Sequence, residues 1–216
     1  VSLLNAYYTQ RRAGATDIGG FSGGRPEDKQ FQQLLVRWFE WGCFCPVMRL
    51  HGDRECDDRR VFHADGSPAL FTGGNNEVWS FGEANEKILT SYIFLRELMR
   101  PYTRKLMEEA HLYGKPVMRP MFYEFPEQDI CWELKEQYMF GPSILVAPIL
   151  YEDQTERTVY LPSGYKWTLL SDGTVYEGGQ TIHVTAPLEQ IPVFISEDGP
   201  DLVEGWKKIR EEQGIC

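Results

Sequence analysis

Three short segments gather residue types that hold or process small molecules. The first is Thr16-Asp17-Ile18-Gly19-Gly20-Phe21. Paired glycines behind a carboxylate let the backbone pass close to a ligand, and a phenyl ring offers a stacking face. Asp17 and Phe21 therefore suit a sugar held by hydroxyl hydrogen bonds and ring contact. The same letters also describe a plain turn with a capping Asp. The second segment is Met48-Arg49-Leu50-His51-Gly52-Asp53. On an extended chain Arg49 and His51 project to one side and can enter one pocket, with a hydrogen-bonded core histidine as the competing reading. In the third, Cys43 and Cys45 precede His51, Cys56 and His63. These are zinc-type ligands, yet structural zinc sites pair them as C-x2-C or wider, so buried thiols are the better reading and no metal is expected.

Composition removes several function classes. The chain has 216 residues with 22 Lys+Arg against 32 Asp+Glu, a net charge of −10. Nucleic-acid binding by counterion release needs clustered cations, and here the basic residues alternate with acids or apolar residues. The same balance disfavours an anionic membrane surface. No phosphate loop or nucleophile elbow appears, so nucleotide and serine-hydrolase chemistry drop out and no cofactor is expected. Five cysteines form an odd set in a chain too long to need staples, which points to a reducing, cytoplasmic setting. No apolar run approaches a membrane span, and the opening residues lack the basic head of a signal peptide.

The elements that must carry these residues fall into two halves, α/β first and all-β after. Pro26 at a helix N1 position, with Phe31, Leu34, Leu35, Trp38 and Trp41 at three- and four-residue steps, predicts an amphipathic helix stopped by Gly42. Pro46 to His51 reads as a brief strand ending in functional side chains. Residues 53 to 82 have no clear period and read as a long loop. A second helical pattern runs from Glu83 to Tyr113, and Pro101 inside it predicts a break near Arg100. From Val117 onward, β-rich runs at 117–122, 143–147, 158–161, 166–170, 181–185 and 191–195 alternate with turn signals, the pattern of an antiparallel sandwich. The division is placed near Pro126, giving 1–126 and 127–216, with a charged, helical or frayed tail after Asp198.

Taken in order, these motifs resemble glycoside hydrolase family 31, the retaining α-glucosidases and α-xylosidases. The carriers are Thr16 to Phe21, Arg37 to Gly42 leading into Phe44 to Gly52, and Gly114 to Pro126. Gln137 to Gly141, Leu145 to Pro148, Tyr160 to Pro162, Tyr176 to Gly179 and Ile191 to Phe194 follow. The resemblance implies the last two βα units of a (β/α)8 barrel followed by the family's proximal C-terminal β-sandwich. It places Asp17 and Phe21 after the seventh strand and His51 after the eighth, where the family's His hydrogen-bonds the sugar in the −1 subsite. Phe21 would line the same subsite and Arg49 would support His51. The implied substrate is an oligosaccharide or glycoside, and Arg-Leu-His-Gly favours α-xylosidase-like members.

The chain also departs from the family. A retaining glycosidase needs two carboxylates about 5 to 5.5 Å apart, and in this family both precede the Asp-Ile-Gly-Gly-Phe segment. At 216 residues the chain is shorter than the roughly 250 of a complete barrel, and few residues precede Asp17. The resemblance therefore assigns no catalytic residue here, gives Asp17 a binding or arranging role, and implies an inactive isolated chain. Asn5 to Ala15 does not resemble the family's Gly- and Trp-rich lead-in strand. Exposed barrel edges are expected to promote self-association. Two other readings stand beside this one: a non-catalytic carbohydrate-binding sandwich with Trp167 and Tyr165 as platform, and a zinc-stabilised scaffold around Cys43, Cys45 and His51.

Overall fold

The computed structural model describes residues 16–56, 62–67 and 73–215. The lead-in segment Asn5–Ala15, positions 57–61 and 68–72 of the long loop, and Cys216 lie outside the described residues.

Helix α1 spans Lys29–Cys43. Its N-cap is Asp28, whose side chain accepts from the Gln30 amide at 2.9 Å, and Pro26 stands in the turn before it. The expectation of Pro26 at N1 is thus corrected: the capping carboxylate is Asp28, so the helix starts at Lys29, three residues after the proline. Phe31, Leu35, Val36, Phe39 and Cys43 are buried, while Leu34, expected on the same face, is exposed. A 3-10 turn, Val78–Phe81, leads into α2 (Glu83–Leu98), and α3 (Arg100–Tyr113) follows directly. The helical pattern breaks at Met99, as Pro101 predicts, since proline has no amide to continue the ladder.

Strands β1 (Met118–Pro120), β2 (Tyr138–Phe140), β3 (Ile144–Val146), β5 (Lys166–Leu169), β6 (Val175–Glu177) and β8 (Val193–Ser196) form one antiparallel sheet in the order β1-β2-β3-β8-β5-β6. β4 (Glu156–Leu161) and β7 (Gln180–Thr185) form a second, two-stranded sheet. Two short helices, α4 (Met121–Glu124) and α5 (Ile130–Glu133), link β1 to β2, and α6 (Val203–Gln213) closes the chain against α2 through Trp206 and Tyr92. The expected run 117–122 turns helical after Pro120, and β2 and β6 are strands that the alternation pattern did not mark. β1 lies before Pro126 yet pairs within the six-stranded sheet. Among the described residues, no helix is long and apolar enough to cross a membrane.

The central strands are buried on both faces. Tyr138, Phe140, Ile144, Val146, Val193 and Ile195 face the helices, while Met139, Leu145 and Phe194 face Val159, Leu161 and Val184 of the small sheet. This is the period-2 alternation of a strand with apolar residues on both sides. Trp167 fills the second core, fully buried, with its indole N–H donated to the Pro162 carbonyl at 2.9 Å. It cannot serve as the exposed platform of the carbohydrate-module reading.

A polar latch ties α1 to the strand-connecting loops. Arg37 donates to the carbonyls of Gln154, Ala186, Pro187 and Gln190 at 2.7 to 3.2 Å and to Glu40 at 3.2 Å. Glu40 also accepts from the Tyr92 hydroxyl at 3.1 Å, and that hydroxyl receives the Ile191 amide. Burial pushes the Glu40 carboxyl from 4.5 up to about 8, against the opposing pull of Arg37 and Tyr92. An acid with a raised folded pKa keeps its proton in the folded chain where the unfolded chain has lost it. Its contribution therefore makes stability fall as pH rises from about 4.5 toward about 8. Glu40→Gln is expected to remove that slope, so the variant gains on the wild type by a few kcal/mol in going from pH 5 to pH 8, measured by urea unfolding at both.

Candidate functional site

Two backbone segments build the site. Residues 17–24 and 49–55 run side by side in the same direction, with parallel bridges at Ile18 with Leu50 and Ser22 with Asp53. The Ile18 amide donates to the Arg49 carbonyl at 3.1 Å, Asp53 to Phe21 at 2.9 Å, Gly23 to Asp53 at 3.0 Å and Glu55 to Gly24 at 3.0 Å. A parallel pair cannot be closed by a tight turn, and α1 is the crossover that returns the chain. The expected strand 46–51 is reduced to bridge contacts, one of them at Leu50.

The parallel register brings the four sequence-identified residues together as two pairs. The Arg49 guanidinium pairs with the Asp17 carboxylate. The Phe21 ring lies 5.7 Å from the His51 ring at a tilt of 49°. Phe21 is 67% exposed, so its ring face is open to a ligand. His51 is exposed too, so the core-histidine reading is set aside. The surface combines guanidinium donors, a carboxylate acceptor, an imidazole and an aromatic face, which match the hydroxyls and the apolar face of a sugar ring.

One residue escaped the sequence reading. Arg54 is fully buried, and its guanidinium donates to the carbonyls of Gly19 at 2.8 Å, Gly23 at 2.7 Å and Gly20. Burial lowers its pKa, and neighbouring Asp53 opposes the shift. In the sequence it sits among Asp53, Glu55 and Cys56, where a charged run looks solvated. The available signal was the row of glycines at 19, 20, 23 and 24, whose carbonyls needed a donor.

Cys43 and Cys45 are buried structural thiols. Cys43 donates to the Tyr92 carbonyl at 3.4 Å and Cys45 to the Trp41 carbonyl at 3.6 Å, and burial pushes both up to about 12. Among the described residues, no group of three or more His, Cys, Asp or Glu is placed to hold a metal ion.

Residues 2–106 match the glycosyl hydrolases family 31 TIM-barrel domain, and residues 114–199 match the glycosyl hydrolase family 31 C-terminal domain. The chain belongs to glycosyl hydrolase family 31. Among its family 31 relatives, an α-xylosidase of Saccharolobus solfataricus is 34% identical over 180 residues, 83% of this chain and 22% of the relative. α-Glucosidase 2 of Bacillus thermoamyloliquefaciens is 34% identical over 181 residues, 84% of this chain and 20% of that protein. A family 31 α-xylosidase from a soil metagenome, solved in complex with xylose, superposes with a TM-score of 0.81 at 49% identity. That match covers 89% of this chain and 28% of the other. The chain thus spans 20% to 28% of the length of these relatives.

The site separates residues that hold the loop from residues that face outward. Gly19 has φ +82°, and a Cβ there would lie 2.7 Å from Leu35 Cδ1. Gly19→Ala should cost roughly 2–4 kcal/mol in urea unfolding, from left-handed strain plus overpacking. Phe21→Ala, at an exposed position, should stay within about 0.5 kcal/mol of the wild type.

Proposed function

We propose that this chain supplies the C-terminal part of the sugar-holding rim of a retaining α-glycosidase of α-xylosidase type, which cleaves a terminal α-linked sugar. The observation that carries the reading is the meeting of Asp17 with Arg49 and Phe21 with His51 across the parallel pair. The helical part corresponds, in this reading, to the last two βα units of a (β/α)8 barrel, and the two sheets to the C-terminal sandwich. Carrying the four residues on two adjacent parallel segments agrees with the parallel strand-to-loop segments on which barrel enzymes carry their sites. Support for xylose comes from the 49% identical α-xylosidase solved with that sugar.

His51 donates to and accepts from ring hydroxyls, Phe21 covers the apolar face, and Arg49 with Asp17 fixes the orientation. The Asp17 carboxylate is taken up by the Arg49 guanidinium, an arrangement suited to positioning a sugar and poorly suited to nucleophilic attack. Double displacement requires a nucleophile and an acid/base close together, and these residues supply neither role. The chain on its own is therefore read as binding without cleaving.

D-Xylose titrated into the purified chain and followed by NMR should shift the resonances of residues 17–21 and 49–52. Phe21→Ala and His51→Ala should each weaken binding about five- to tenfold. Shifts confined to residues 127–216 would instead favour a carbohydrate-binding sandwich. The chain should also leave 4-nitrophenyl α-D-xyloside intact; turnover lost in Asp17→Asn would overturn the non-catalytic reading.

A further inference from the structure

The geometry points to Arg54 as the positioning residue of the sugar-facing loop, holding Asp17 and Phe21 against Arg49 and His51 through the backbone rather than touching the sugar. This inference rests on the sugar-site reading and adds a residue to it.

The loop from Asp17 to Gly24 makes its turns with Gly19, Gly20 and Gly23 at φ +82°, +86° and +83°. Those turns aim three carbonyls inward, at one buried point. Three converging acceptors repel one another, and each costs free energy if left without a donor. The Arg54 guanidinium stands at that point and donates to all three. A planar fork with five N–H groups can serve several carbonyls at once; the tetrahedral ammonium of Lys cannot match that geometry. The Phe31 ring backs the guanidinium at 5.2 Å from Cζ, and a Cβ at Gly52 would overlap it. Phe31 and Gly52 thus leave room for the guanidinium head.

The connection to the site is short. Gly19 and Gly20 precede Phe21 directly, and the Gly20 amide donates to the Asp17 carbonyl at 2.8 Å. The Asp53 amide, one residue before Arg54, holds the Phe21 carbonyl. Releasing the three glycine carbonyls would let both functional side chains drift from Arg49 and His51, although Arg54 itself has no surface to offer a ligand.

The test uses the whole chain as wild type, Arg54→Lys and Arg54→Gln, with two readouts. D-Xylose affinity is followed by NMR, and amide exchange is followed at Gly20, Gly23, Asp53 and Glu55, with Leu89, Tyr92 and Leu145 as references. Both variants should bind xylose about tenfold more weakly or worse, with exchange about 100-fold faster at the loop amides and unchanged at the reference amides. Wild-type affinity and loop protection in Arg54→Lys would overturn the inference. So would uniformly faster exchange across helices and sheets, or failure of both variants to fold, since Arg54 would then serve the fold as a whole. If the wild-type chain binds no xylose, the sugar reading falls, while the exchange pattern still decides whether Arg54 holds the loop.

Discussion

The parallel alignment of residues 17–24 with 49–55 is the constraint on which the rest depends. Backbone hydrogen bonds fix its register, and register decides which side chains become neighbours: Asp17 with Arg49, Phe21 with His51. Parallel pairing demands a long crossover, and α1 provides it. A crossover helix must in turn bury its inner face and anchor its outer end. Phe31, Leu35 and Phe39 do the first, and the Arg37–Glu40–Tyr92 latch does the second.

The six-stranded sheet extends this logic. Because its central strands are apolar on both faces, it joins two cores: one shared with the helices, the other with β4 and β7. The Arg37 guanidinium reaches carbonyls at one end of that small sheet, before β4 and after β7, and another before β8, so helix and sheet are locked at the point where their loops meet. Within this lock Glu40 is buried beside Arg37 and Tyr92, where burial raises its pKa. The candidate-site residues are treated differently: Phe21 and His51 remain exposed, supported by a backbone that is held from beneath.

Much of the site was legible in the letters. Asp17, Phe21, Arg49 and His51 stood out because carboxylate-glycine-aromatic and Arg-x-His spacings carry chemistry, and the Pro101 break followed from a missing amide. Arg54 did not stand out, since a buried cation and a solvated one look alike in a charged run. β2 and β6 were missed for related reasons. Tyr138, Met139 and Phe140 face two cores and show no polar alternation, and Val175–Glu177 is an edge strand of only three residues.

By itself, the sequence determined the family, the order of helical and sheet-forming parts, and the carboxylate, phenyl, guanidinium and imidazole groups of the candidate site. These are properties of local composition and spacing, which survive without knowing any distance. The tertiary structure decided which residues meet and which are hidden. It placed Arg49 on Asp17, sank Trp167 into the core and turned three glycine carbonyls onto Arg54. Those outcomes depend on long-range register and on the cost of burying charge and unpaired polar groups, which no local stretch of sequence encodes.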